Sequence, residues 1–158
     1  MRAAVFYGAG ETKLEDLPRP QPGPRDILIK VKAAGVCGTD IHIVKGISHS
    51  AVPVVLGHEY AGEVVEIGSE VGEFRTGDRV TVDPNITCGE CNYCLAGKVN
   101  LCRNLRALGV DLNGGFAEYS LLPVQQAYRL PDNLSYEEAA LVEPLACCVH
   151  GMKLVVGQ

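Results

Sequence analysis

The sequence predicts a mainly β domain, a barrel-like unit with short helices, and three observations carry that prediction. The first two thirds of the chain consist of short segments rich in Val, Ile and Ala, separated by Gly, Pro and Asp. After Pro131 the character turns helical, beginning with the capping box Ser135-x-x-Glu138 ahead of an Ala/Leu-rich stretch. Between the two lies a run of four cysteines, Cys88, Cys91, Cys94 and Cys102, spaced C-x2-C-x2-C-x7-C in a turn-forming context. Tetrahedral zinc takes four thiolates, and closely spaced cysteines on one loop supply them at little cost in chain entropy.

The elements follow in order. Residues 2–7, Ile27–Ala33, Ala61–Ile67, Arg79–Val82 and Phe116–Leu122 read as strands, apolar and bounded by turn residues. Leu17–Pro24 is a proline-rich, rigid extended connector. Thr39–Lys45 reads as a short helix stopped by Gly46. Pro144 sits where another helix can start, and Leu145–Val155 has helical composition. The nearest match to a dinucleotide fingerprint is Gly8-Ala9-Gly10, where Lys13 stands in for the third glycine and no helix follows. No cofactor-binding residues are assigned from it.

At 158 residues and 47% hydrophobic, the chain has the length of one domain and the material for a core. A net charge of −5, with no basic stretch interleaved with aromatics, argues against nucleic acid or an anionic membrane surface as partner. The start, Met1 to Gly8, has too short an apolar run to read as a signal peptide, and no run is long enough to span a bilayer, so a soluble, cytoplasmic protein is expected. Seven cysteines in a reducing compartment read as metal ligands plus buried thiols rather than a disulfide framework. Cys147 and Cys148, in the apolar helical stretch, are expected in the core.

A second set of ligand-type residues is scattered: Cys37 in Gly35–Asp40, His58 and Glu59 in Leu56–Glu59, and Glu143 in Val142–Leu145. Each sits where a strand ends or a helix starts, on backbone rigid enough to hold a ligand. Mixed sulfur, nitrogen and oxygen ligands with a free position suit a catalytic zinc, whereas an all-thiolate shell is closed and suits a structural one. An iron–sulfur cluster is the rival for the cysteine run. The bacterial ferredoxin pattern, however, has three residues before its last cysteine and a proline after it, against seven and Arg103 here.

Cys37-Gly38-Thr39-Asp40, Gly57-His58-Glu59, Gly77-Asp78-Arg79-Val80, the cysteine run and Gly114-Gly115-Phe116-Ala117-Glu118-Tyr119 occur in this order along essentially the whole chain. Together they resemble the zinc-dependent medium-chain alcohol and polyol dehydrogenases, and Glu143-Pro144-Leu145 resembles the sorbitol and butanediol dehydrogenase branch. The resemblance implies a GroES-like β-barrel without the Rossmann domain of the full-length family. It implies a domain over 1–142, with 143–158 starting the helical link to that Rossmann domain.

It also implies roles. Cys37, His58 and Glu143 resemble ligands of the catalytic zinc, and Glu59 one that ligates when water leaves. Thr39 resembles the hydroxyl that takes the alcohol proton, and His42 the next station of the relay. Asp40 resembles the acceptor that orients His58. Cys88, Cys91, Cys94 and Cys102 resemble the structural zinc site.

The implied activity is zinc-dependent oxidation of a polyol or secondary alcohol to the ketone, with hydride transfer to NAD or NADP, in a homo-oligomeric dimer or tetramer. With no dinucleotide site in the sequence, the chain is expected to be a portion of such an enzyme, inactive alone. It is also expected to expose apolar surface over residues 139–156. The alternative function is a non-catalytic, zinc-stapled assembly domain.

Overall fold

The computed structural model of the chain describes residues 1–156. Two strands open it, β1 (Arg2–Gly8) and β2 (Glu11–Asp16), followed by β3 (Asp26–Ala34) and the helix α1 (Gly38–Val44). Next come β4 (Val54–Val55), β5 (Tyr60–Ile67), β6 (Arg79–Val82) and β7 (Asn85–Ile86). The cysteine lobe contains α2 (Asn92–Leu95) and leads into β8 (Arg106–Ala107). The chain continues through β9 (Tyr119–Pro123), β10 (Ala127–Arg129), α3 (Tyr136–Ala140) and α4 (Val142–Val156).

A five-stranded antiparallel sheet in the order β10-β6-β5-β3-β9 forms the wall of a half-barrel. Its inner face is lined by Ile27, Ile29, Val64, Val80, Val82 and Leu122, all buried, and by the fully buried ring of Tyr60. The Tyr60 hydroxyl is satisfied there by the Ser120 hydroxyl at 2.9 Å, as a buried polar group requires. A smaller sheet, β2-β1-β4, sits beside it, and Phe6, Val54 and Leu56 from that region enclose Ile43 of α1. Gly8-Ala9-Gly10 is the hairpin turn between β1 and β2, with both glycines at positive φ.

The sequence-predicted strands 2–7, Ile27–Ala33, Ala61–Ile67 and Arg79–Val82 match β1, β3, β5 and β6. The strand expected over Phe116–Leu122 begins only at Tyr119. Phe116 and Glu118 instead bond the backbone of β1, through Ala4 N–H to the Phe116 carbonyl at 2.8 Å and Glu118 N–H to the Arg2 carbonyl at 3.0 Å. The capping box is formed, with Ser135 Oγ accepting from Glu138 N–H and the Glu138 carboxylate accepting from Ser135 N–H. The helix expected to start at Pro144 begins at Val142, which leaves the proline in the first turn, where no N–H is needed.

Cys147 and Cys148 are exposed, not in the core, because α4 buries no side chain. Ala139 and Ala140 are buried, so the bare apolar surface expected over 139–156 starts at Leu141 and continues through Leu145, Val149 and Met152. No helix among the described residues is long and apolar enough to cross a membrane.

The loop between β8 and β9 straps onto the segment joining β4 to β5. Gly114 N–H bonds the Val55 carbonyl (2.8 Å), Gly115 N–H the Gly57 carbonyl (2.7 Å) and Phe116 N–H the Leu56 carbonyl (2.9 Å). This approach leaves no room for a Cβ. One on Gly109, which also holds φ +81°, would land on the Gly57 carbonyl. Gly109→Ala should therefore destabilise the chain by about 2–4 kcal/mol in denaturant unfolding. Gly72→Ala, where a Cβ meets nothing within 4 Å and φ is ordinary, should stay within about 1 kcal/mol of the parent.

Candidate metal centres

The lobe between β7 and β8 gathers Cys88, Cys91, Cys94 and Cys102. Cys91 caps the N-terminus of α2, Cys94 lies within that helix, and Cys102 follows a short 3₁₀ turn. The sulfur separations are 3.5 Å for Cys91–Cys94, 3.5 Å for Cys102–Cys88 and 3.9 Å for Cys88–Cys94. A tetrahedral shell with zinc–sulfur bonds of about 2.3 Å puts its sulfurs about 3.8 Å apart, whereas a disulfide needs about 2.05 Å. The spacing is that of a metal shell.

Backbone N–H groups tune the thiols. Those of Arg103 and Cys94 hold Cys91 down at about 6, and that of Cys88 lowers Cys102, so thiolate is accessible near neutrality. Burial, aided by the neighbouring sulfurs, pushes Cys94 up to about 12, and a cation in the shell would remove that proton.

The second centre draws on two separated stretches. Cys37 precedes α1, while His58 and Glu59 close the β4–β5 connection just before Tyr60 enters the sheet. One ligand atom from each of the three lies within 4.8 Å of the others.

Asp40, only 3% exposed, ties the group together. Its Oδ2 accepts from Cys37 N–H at 2.9 Å, and its Oδ1 faces His58 Nδ1 at 3.5 Å. That second contact is a charge pairing, and neither atom has a hydrogen-bond partner. The Asp40 carboxylate, opposed by burial and helped by Cys37, holds the metal-free imidazole up at about 9. With Nδ1 aimed at Asp40, Nε2 is the nitrogen left for a metal, the usual arrangement of a carboxylate-supported histidine ligand. A thiol, an imidazole and a carboxyl with orphaned buried polar atoms beneath them fit a zinc ion with an open position.

The remaining predicted site residues divide. Thr39 and His42 are exposed on α1, three residues apart and so on one helix face. Glu143, in the first turn of α4, is not brought into the three-residue group. Burial raises its carboxyl, with the His58 charge opposing and the Glu59 charge adding, so it sits within electrostatic reach of the centre. Its Oε1 instead lies 3.7 Å from Cys147 Sγ.

Sequence reasoning missed Gly35. A Cβ there would stand 2.5 Å from Glu59 Oε2, and Gly35 N–H bonds the Glu59 carbonyl at 2.7 Å, so this glycine makes the space in which the Glu59 carboxylate lies. The only sequence signal was its position at the end of a strand, two residues before Cys37.

The alcohol dehydrogenase GroES-like domain family matches residues 23–132. The chain is 45% identical over 141 residues to an L-threonine 3-dehydrogenase of Pseudoalteromonas translucida and 47% identical to one of Alteromonas mediterranea. Each match covers 87% of this chain, and the chain spans 41% of these relatives' length. Among solved structures, a zinc-binding dehydrogenase from Sinorhizobium meliloti bound to NADP superposes with a TM-score of 0.94 at 50% identity, over 97% of this chain and 45% of that one. The 2R,3R-butanediol dehydrogenase of Bacillus subtilis gives 0.87 at 34% identity, over 96% and 46%. By this match and by its fold, the chain belongs to the GroES-like domain family of the zinc-dependent medium-chain alcohol dehydrogenases.

Proposed function

We propose that this chain is the metal-binding catalytic portion of an enzyme that oxidises a secondary alcohol or polyol to the ketone, with the hydride passing to NAD or NADP. The observation that carries the proposal is the convergence of Cys37, His58 and Glu59 on one point, from two separated stretches, with Asp40 behind them. The relatives favour a hydroxyl on a small polar molecule: the 3-hydroxyl of threonine is itself a secondary alcohol. They are more than twice this chain's length, and we place the nicotinamide site in that further length. Bare apolar side chains on α4 support an assembled, homo-oligomeric form. A cytoplasmic setting suits free thiols in this number.

Cys37, His58 and Glu59, with Glu143 as a further oxygen ligand, would hold the catalytic zinc, and the ion, when bound, would supply Lewis acidity that brings a substrate hydroxyl's pKa towards neutrality. The Thr39 hydroxyl would take the substrate proton as it gives up its own, and His42, one turn further along the exposed face of α1, would carry the released proton to solvent. Asp40 fixes the His58 ring and the Cys37 backbone, so both ligands are set before a metal arrives. Cys88, Cys91, Cys94 and Cys102 would hold a second zinc with no free position, which pins their lobe and takes no part in the chemistry.

Elemental analysis should find two zinc ions per chain. Cys37→Ala should lose one and stay folded, and Cys94→Ala should lose one and unfold the lobe. A single zinc retained in full by Cys37→Ala would support the assembly-domain reading instead. Gly35→Ala, which pushes on the Glu59 carboxylate, and Asp40→Asn, which removes the charge facing His58, should each weaken zinc at the mixed centre by about 10–100-fold. Competition with a chromogenic chelator checks this, and the four-cysteine zinc should be unaffected.

A further inference from the structure

Two side chains of β6 hold α3 at its two ends. Arg79 and Thr81 are two residues apart on one strand and so stand on the same face. At the start of α3, Arg79 Nη1 donates to the Asp132 carbonyl at 3.1 Å and Nη2 to the Leu134 carbonyl, and the guanidinium lies over the Tyr136 ring, 4.6 Å from its centroid. At the other end, Thr81 Oγ1 donates to the Ala139 carbonyl at 2.9 Å and lies 3.4 Å from the Tyr60 carbonyl. Thr81 is buried, and Ala139 packs on Ala61, the residue that pairs with Thr81 across the sheet. The hydroxyl therefore sits between two backbone carbonyls: that of Tyr60, directly after His58 and Glu59, and that of Ala139, four residues before Glu143. α4 carries Glu143 in its first turn, lies against β6 and fully buries no side chain of its own. Its place is inherited from α3, which ends one residue before Leu141 gives way to it.

We propose that Thr81 is a positioning residue for the mixed centre. Its hydroxyl joins the start of β5, which presents His58 and Glu59, to the α3–α4 corner, which presents Glu143, and so sets how well the Glu143 carboxylate reaches an ion held by the others. This rests on the reading of Cys37, His58, Glu59 and Glu143 as one metal site. A hydroxyl has a single hydrogen to donate, and here it goes to the nearer carbonyl, at the helix end. An apolar side chain of the same shape would leave that carbonyl without this partner and loosen the corner by which Glu143 is aimed. Thr81 touches no ligand atom itself, so its effect is felt only in how well the ligand set closes on a metal.

The test is cobalt(II) titration of the whole 158-residue chain followed by visible absorption, with folding checked by circular dichroism. The chains compared are the parent, Thr81→Val, Thr81→Ser, Glu143→Gln and the double variant Thr81→Val with Glu143→Gln. Thr81→Val should weaken cobalt at the mixed centre by about tenfold and shift its ligand-field bands. Thr81→Ser, which keeps the hydroxyl, should retain the parent's affinity and spectrum. Glu143→Gln should weaken cobalt at least as much as Thr81→Val, and the double variant should be no weaker than Glu143→Gln, because Thr81 acts through Glu143. Parent-like binding in Thr81→Val, equal losses in Thr81→Val and Thr81→Ser, or a double variant weaker than Glu143→Gln would each overturn the proposal. Thr81→Ala carries the same predictions if Thr81→Val does not fold. No cobalt outside the four-cysteine lobe in the parent, or parent-like binding in Glu143→Gln, would sink the metal-site reading itself and the role of Thr81 with it.

Discussion

The Gly57 carbonyl is where distant parts of this chain are forced together. Gly115 donates to it, and Gly109 and Gly114 lie against it so closely that no side chain fits at either position. Those three glycines come from the loop before β9, some fifty residues further along the chain, while the next two residues after Gly57 are His58 and Glu59. The mixed centre therefore depends on a backbone contact between the two halves of the sequence. Gly57 itself holds φ +90°, and a Cβ there would enter the Phe116 ring. The histidine and glutamate are consequently presented from a turn with one allowed conformation, just ahead of the strand that carries the buried Tyr60.

From this follows the contrast between the two centres. The four-cysteine shell is local. Its ligands come from one loop of fifteen residues, supported by α2 and backbone N–H donors, and it has no position left over. The mixed centre is non-local, built from α1 and the β4–β5 connection and braced by a buried Asp40. A ligand set assembled by the whole fold can be held short of saturation, because folding energy rather than metal affinity brings it together. That is the property a catalytic metal requires.

Local features were legible in the sequence, and longer-range ones were not. The strands that became β3, β5 and β6 are β-branched and flanked by turns, so propensity and environment agree. By contrast β2 is charged and exposed, while β4, β7, β8 and β10 are two or three residues long and exist because a neighbour pairs with them. Phe116 and Glu118 looked like strand and instead bond β1, which no local pattern announces. Cys37, His58 and Glu59 were visible as a set only through their family resemblance, since nothing local ties a cysteine before a helix to a histidine twenty-one residues later. Gly35 was invisible as a site residue because its contribution is an empty volume. Cys147 was expected in the core because the apolar composition of α4 reads as burial, yet that helix leaves most of its side chains exposed and fully buries none.

On the proposed reading, one chain holds two metal centres of different chemistry, one closed and one open. Zinc K-edge X-ray absorption of the zinc-loaded chain tests it most directly. The prediction is five sulfur ligands shared over two zinc ions, four from the lobe and one from Cys37, with nitrogen and oxygen scatterers from His58 and Glu59 bound directly to the second zinc. In Cys37→Ala the spectrum should reduce to a single all-sulfur zinc. A sulfur-only shell in the parent chain, or a spectrum that Cys37→Ala leaves unaltered, would contradict the claim.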